Sequence, residues 1–286
     1  MINPHAGLAA ARAGSDRLFM QPDFNPTVPN VARVYDVLLG GKDNFAADRQ
    51  AAARLLEAVP GAAVAARENR AFLGRAVWFL AEDAGIRQFL DLGAGLPTAR
   101  AVHEIAAGAV PPPRVIYADN DPVVVRHAEA LTGQAPGVTA IQADLRQPGD
   151  LLSYLTWRHL IDLARPVAVL LAAVLHFLED HEDPWSVVNV LKDQVAPGSY
   201  FVISHVTADH LPPAAAQGAR EAYAGASAPG VARTREQIAR FFGGLDIASP
   251  GLVDVSGWRP GHLGPPPGPA VFYAGIGRKS APGRPR

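Results

Sequence analysis

Gln88-Phe89-Leu90-Asp91-Leu92-Gly93-Ala94-Gly95-Leu96-Pro97-Thr98 is the stretch that decides the fold of this chain. An apolar run closes on an acid, a glycine turn follows, and a helix is predicted from Thr98 to about Ala107. A second apolar run, Val115-Ile116-Tyr117-Ala118, ends in Asp119-Asn120-Asp121-Pro122. Strand, glycine turn, helix, strand and acid is the order in which a Rossmann-like half-sheet binds an adenosine-containing ligand.

The glycines separate two such ligands. A pyrophosphate cradle takes G-x-G-x-x-G, the third glycine allowing close helix–strand packing. Gly93 and Gly95 fill the first two places, but Thr98 stands in the third. S-adenosylmethionine has no phosphate, so the turn Gly93-Ala94-Gly95 need only let backbone approach its methionine part. NAD is the alternative cofactor. On the first reading Asp91 faces the methionine ammonium, directly or through water. Asp119, with Asn120 beside it, accepts the ribose hydroxyls.

Outward from this stretch the chain keeps an alternating rhythm. Before it, Val31, Val34, Tyr35 and Leu38 fall on one helical face, with Gly40-Gly41 as a stop. Further helices are predicted over 45–59 and 65–83, so residues 27–84 read as an N-terminal helical cap. Residues 1–26 read as a loose tail. After it, strands are expected at 114–118, 138–142, 166–172 and 199–205, with helices at 122–131, 149–163 and 184–195. Such β-α-β alternation implies a parallel sheet with helices on both faces. Residues 212–243 read as a helical insertion interrupted at Pro229-Gly230. Two strands without a helix between them, 246–255 and 270–277, predict an antiparallel hairpin joined through Trp258-Arg259-Pro260 and the loop 264–269. The expected class is α/β: a Class I methyltransferase-like, mostly parallel sheet closed by a C-terminal hairpin, spanning 85–279. A basic tail, 280–286, follows.

Composition narrows the partners. The chain has 286 residues, 49% of them hydrophobic and 19% charged, which is enough for a sizeable core. The net charge of −1 provides no field to attract nucleic acid or an anionic membrane. There is no cysteine, hence no disulfide, thiolate zinc site or cysteine nucleophile. The apolar run from Val167 to Leu175 is too short to span a bilayer, and the N-terminus lacks a signal-peptide pattern. A cytoplasmic protein is the expectation.

Arg33-Val34-Tyr35-Asp36-Val37-Leu38-Leu39-Gly40-Gly41-Lys42-Asp43-Asn44-Phe45-Ala46-Ala47-Asp48 resembles the signature of a family of S-adenosylmethionine-dependent methyltransferases common in high-GC bacteria, long known only as a domain of unknown function. The Phe89–Thr98 and Tyr117–Pro122 segments, Leu175-His176-Phe177, Pro197-Gly198-Ser199-Tyr200 and Trp258-Arg259-Pro260 are similar to that family as well. The resemblance covers about residues 25–279 and implies the Class I fold and this cofactor, with S-adenosylhomocysteine as its product. It supplies no substrate. Resemblance to Class I enzymes further implies that Asp144 bonds the adenine amino group and that the Leu145 backbone meets a ring nitrogen.

Other candidates follow from position. Ligands sit outside the carboxyl ends of parallel strands, which gathers Ala172, Val174, His176 and His205 near Asp91, Asp119 and Asp144. No D/N-P-P-Y/F turn follows the fourth strand, as enzymes methylating base or amide nitrogens usually have, so a small-molecule oxygen or nitrogen acceptor is expected. His176, and less so His205, are candidate general bases for a hydroxyl acceptor. The cap is read as a lid that turns Tyr35, Lys42 and Asn44 toward the site, with Tyr223 on the opposite wall. The spacing of His205, Asp209 and His210 matches no standard ligand pattern, and no metal is expected. A protein that binds the sulfonium for sensing or for non-methylating chemistry, and an NAD-dependent oxidoreductase, are the rival functions.

Overall fold

The computed structural model describes residues 25–97, 100–133, 135–259 and 271–281. Five parallel strands form the body of one sheet: β1 (Gln88–Leu92), β2 (Arg114–Asp119), β3 (Val138–Gln142), β4 (Ala168–Ala172) and β5 (Tyr200–Val206). β6 (Asp246–Ile247) and β7 (Val253–Asp254) both pair antiparallel with β8 (Phe272–Arg278), which itself lies antiparallel on β5 from Tyr200↔Arg278 to Val206↔Phe272. The order is β3-β2-β1-β4-β5-β8-β6. β1 thus sits between β2 and β4, and the chain reverses its direction of travel across the sheet there. The crevice at such a switch point is where ligands bind in open α/β sheets.

Alternation along β1 shows why both faces are covered. Phe89 packs with α3 (Ala62–Trp78) and α4 (Val102–Ala106), through Phe72, Leu73, Ala76, Val102 and Ala106. Leu90 and Leu92 pack with α6 (Pro148–Trp157) and α7 (Pro184–Gln194), through Leu151, Leu155, Val188 and Leu191; a fifth helix, α5 (Pro122–Thr132), lies against β2 and β3. Side chains of this kind contribute about 1.5–3 kcal/mol each when fully buried. Trp258 is fully buried, edge-on to Phe72 and Phe79. Arg75 of α3 donates to the Trp258 and Val255 carbonyls, tying the C-terminal segment to the first face.

A third core lies above the sheet. α1 (Val31–Leu39) and α2 (Ala46–Ala58) pack with the start of α3 and with Ala222 of α8 (Pro213–Ala222), through Val34, Leu38, Ala52, Leu55 and Ala66. Asn30 caps α1 by accepting from the Ala32 and Arg33 N–H groups. At its other end Gly40 turns left-handed and the Asp36 carboxylate accepts from Asp43 N–H and from the Asn44 amide.

The mostly parallel sheet with an antiparallel C-terminal edge is as the sequence predicts, but four local expectations are corrected. The helix after the glycine turn begins at Val102, because Pro97 and the left-handed Arg100 intervene. Thr98 itself lies outside the described residues. The helix expected over 149–163 ends at Trp157, with His159 left-handed just beyond. The strand expected at 246–255 is split into β6 and β7, because Pro250 lacks a ladder donor and Gly251 has φ 100°. The 212–243 stretch forms α8 and α9 (Arg235–Ala239), with the non-helical span 223–234 between them. Pro260, the loop 264–269, and the tails 1–26 and 280–286 apart from residues 25–26 and 280–281 lie outside the described residues.

Candidate functional site

The site is built on the turn after β1. Gly93 and Gly95 have φ of 69° and 66°, a region L side chains rarely adopt. A Cβ on Gly93 would overlap the Val174 side chain, whereas a Cβ on Gly95 would meet only open space. Gly93 N–H donates to the Ala118 carbonyl (2.8 Å). Gly95 N–H donates to Asp119 Oδ2 (2.9 Å), and Asp121 N–H donates to Asp119 Oδ1 (2.9 Å). One buried carboxylate therefore fixes the turn after β1 to the end of β2. Burial pushes the Asp119 pKa up to about 6, opposed by those N–H groups.

A cleft of about 1140 Å³, open to solvent, lies over this turn. Tyr35, Gly93, Ala94, Gly95, Asp119 and Asn120 line it, and so do Asp144, Leu145, Ala172 and Val174. Asp144 accepts from Arg146 N–H at 2.9 Å and pairs with its guanidinium at 3.3 Å. Asp91 faces an adjoining cavity of about 600 Å³ that shares Arg70, Gly95 and Leu96 with the main cleft. Burial raises the Asp91 pKa to about 7, partly offset by the Arg70 charge.

Lys42 and Asn44 are not brought to the cleft. Lys42 is exposed, and Asn44 is spent on Asp36 and the Gly41 carbonyl. Their turn is a clasp at the end of α1: a Cβ on Gly41 would overlap the Asp36 carboxylate. Tyr35 does face the cleft, its hydroxyl donating to Ala66 O and accepting from Asn69.

The two histidines differ. His205 is fully buried, and Arg233 Nη1 donates to its Nε2 at 2.9 Å. Its proton is therefore on Nδ1, which donates to Val206 O at 2.7 Å. Both nitrogens are committed, and burial pushes the pKa down to about 3, so His205 has the place of a structural residue rather than of a base. Arg233 also donates to the Leu175 and Leu178 carbonyls and pairs with Asp180, bracing the segment that carries His176. His210 bonds Tyr273 instead. His176 is buried with no hydrogen-bond partner for Nδ1, and burial first, then His205 and Arg233, lowers its pKa well below 6.5. It lines a second, largely apolar cavity of about 760 Å³, together with Tyr223. Tyr35 and Phe177 are walls of both cavities.

Sequence reasoning missed a buried ion network beside the site. Arg33 pairs with Asp48 (3.0 Å) and with Asp121 (3.2 Å), all three side chains no more than 4% exposed. It missed Asn69 and Arg70, which line the cleft. Asn69 was detectable: it falls on the stripe of Phe72, Leu73 and Ala76, where a polar residue breaks the pattern. Among the described residues no group of three or more His, Cys, Asp or Glu is placed to hold a metal ion, and no helix is long and apolar enough to cross a membrane.

A family model described as S-adenosyl methyltransferase matches residues 19–280. A protein of Thermobifida fusca YX, provisionally assigned as a methyltransferase, is 42% identical with a TM-score of 0.83, over 91% of this chain and 97% of that one. A DUF574 family protein of Streptomyces avermitilis MA-4680 is 35% identical, also with a TM-score of 0.83, over 88% and 98%. An O-methyltransferase family protein of Burkholderia thailandensis, 16% identical with a TM-score of 0.50 over 81% and 63%, shares the fold. No curated protein matches the sequence.

Proposed function

This chain belongs to the S-adenosyl methyltransferase family, and from that premise we propose that it methylates an oxygen or nitrogen of a small-molecule acceptor. The observation that carries the reading is the turn at Gly93–Gly95 clasped by Asp119 beneath an open cleft, next to a separate apolar cavity. Gly95 fits the cofactor because its missing Cβ leaves open space where a ligand can approach the backbone. In this reading Asp119 has lone pairs left for the ribose hydroxyls, and Asp144 and Leu145, which line the same cleft, take the adenine. Asp91 and Arg70, sharing the adjoining cavity, suit the ammonium and carboxylate of the methionine part.

When bound, S-adenosylmethionine supplies an electrophilic methyl group. The chain's own contribution is then alignment and exclusion of water. α1 and α2, packed on α8, form the lid in this reading, with Tyr35 as its contact with the cleft. Incubation with methyl-labelled S-adenosylmethionine and a panel of phenols, alcohols and amines tests it. Label in an organic acceptor is expected; label in none, from folded protein that binds S-adenosylhomocysteine, would favour a sensor or non-methylating use of the cofactor.

A further inference from the structure

We infer that the apolar cavity beside the cleft is the acceptor site, and that it takes an uncharged, largely apolar molecule that presents a hydroxyl group to His176. The inference rests on the methyl-transfer reading above. The cavity lies between the cap, α8 and the end of β8, and its walls are mostly apolar. Its walls are side chains such as Leu38, Leu55, Val59, Leu211, Ala219 and Phe272. No Asp or Glu is among them, so an amine cation would be desolvated there without a counter-ion. The Arg220 side chain belongs to an exposed residue and is held by Gln217.

His176 is a polar wall of the cavity whose ring has no protein hydrogen-bond partner among the described residues. It is 6% exposed, Nδ1 is enclosed and unbonded, and no described residue hydrogen-bonds either ring nitrogen. Its neighbour His205 spends both nitrogens, so the two differ in the one property a ligand needs. A neutral imidazole offers one lone pair and one N–H, and with Nδ1 enclosed, Nε2 is the nitrogen left for a ligand hydroxyl. The acceptor oxygen bonds to the methyl carbon while the C–S electron pair stays on sulfur, giving S-adenosylhomocysteine. The hydroxyl proton is released to solvent, His176 orienting the hydroxyl through a hydrogen bond. Tyr35 and Phe177, walls of both cavities, keep acceptor and cofactor adjacent. Phe177 is held edge-on to Tyr223 at 5.7 Å between centroids.

Binding, read apart from turnover, tests this. The full chain is first titrated with S-adenosylhomocysteine and then, saturated with it, with 2-naphthol, 2-methoxynaphthalene and 2-naphthylmethylamine, followed by fluorescence. Saturable naphthol binding is expected, roughly tenfold tighter than the methyl ether, as for one hydrogen bond at the strong end of the range. In His176→Phe that preference should fall to near one. In Ala219→Phe, which fills the cavity, naphthol binding should be lost while affinity for S-adenosylhomocysteine is unchanged. Tighter binding of the amine, equal binding of naphthol and its ether, or naphthol binding that survives Ala219→Phe would overturn the inference alone. Failure of S-adenosylhomocysteine to bind would overturn the methyl-transfer reading and this inference with it.

Discussion

Arg33→Met probes the link between the cap and the cofactor cleft. Arg33 lies between two carboxylates, its Nε 3.0 Å from Asp48 and its Nη1 3.2 Å from Asp121, and Nη2 donates to the Val28 carbonyl at 3.0 Å. The Arg33 side chain is 3% exposed and those of Asp48 and Asp121 are 0% and 4%, so water cannot replace the cation. Removing one partner of a buried pair costs about 3–5 kcal/mol. The low end applies, because Asp48 keeps the N–H groups of Asn30 and Phe45 and Asp121 keeps that of Val123. Methionine also preserves most of the aliphatic packing. Urea unfolding followed by tryptophan fluorescence should therefore show a loss of about 3 kcal/mol. Adding Asp48→Asn should recover part of it, since one of the two orphaned charges is then gone. Asp121 N–H holds Asp119, so affinity for S-adenosylhomocysteine should fall as well. A loss below about 1 kcal/mol, the range of an exposed pair, would refute the claim that this network carries a desolvated charge.

Three further outcomes are expected. The Asp119 pKa is raised by burial to about 6 from 3.8, so the folded state holds a proton between those values and this group's contribution to stability falls as pH rises through that window. Ribose hydroxyls need the ionised carboxylate, so protonation of Asp119 should by itself raise the calorimetric Kd for S-adenosylhomocysteine about tenfold per pH unit below 6, on top of the rise that protonation of Asp91 brings below about 7. A Kd constant from pH 7 to pH 5 would remove Asp119 from the ribose role. Gly93→Ala should destabilise by about 2 kcal/mol or more, since a left-handed residue would also overlap Val174. Gly95→Ala should cost only about 1–2 kcal/mol in stability, yet weaken ligand binding, because its Cβ enters the cleft; equal unfolding midpoints for the two variants would contradict the difference between these positions.

Much of the frame was legible because parallel strands announce themselves. β1 and β3 have the bounds expected from their apolar runs, and the two acids, Asp91 within β1 and Asp119 ending β2, lie near the carboxyl ends of neighbouring strands. Short-range chemistry was less legible. Lys42 and Asn44 look like pocket residues in a polar turn, but Asp36, several residues earlier, gathers that turn around its own carboxylate. Nothing local reveals that Arg33, Asp48 and Asp121 meet, since they come from three elements and only the docked cap brings them together. The difference between His176 and His205 was equally hidden: it depends on Arg233, brought in by the chain between α8 and α9.

Titration calorimetry of the purified chain with S-adenosylhomocysteine, and separately with NAD, tests the central claim most directly. The Gly93–Gly95 turn, with Asp119 beneath it and no third glycine, predicts saturable one-to-one binding of the first and none of the second. Binding of NAD, or of neither by folded protein, would contradict the assignment of this cleft to S-adenosylmethionine.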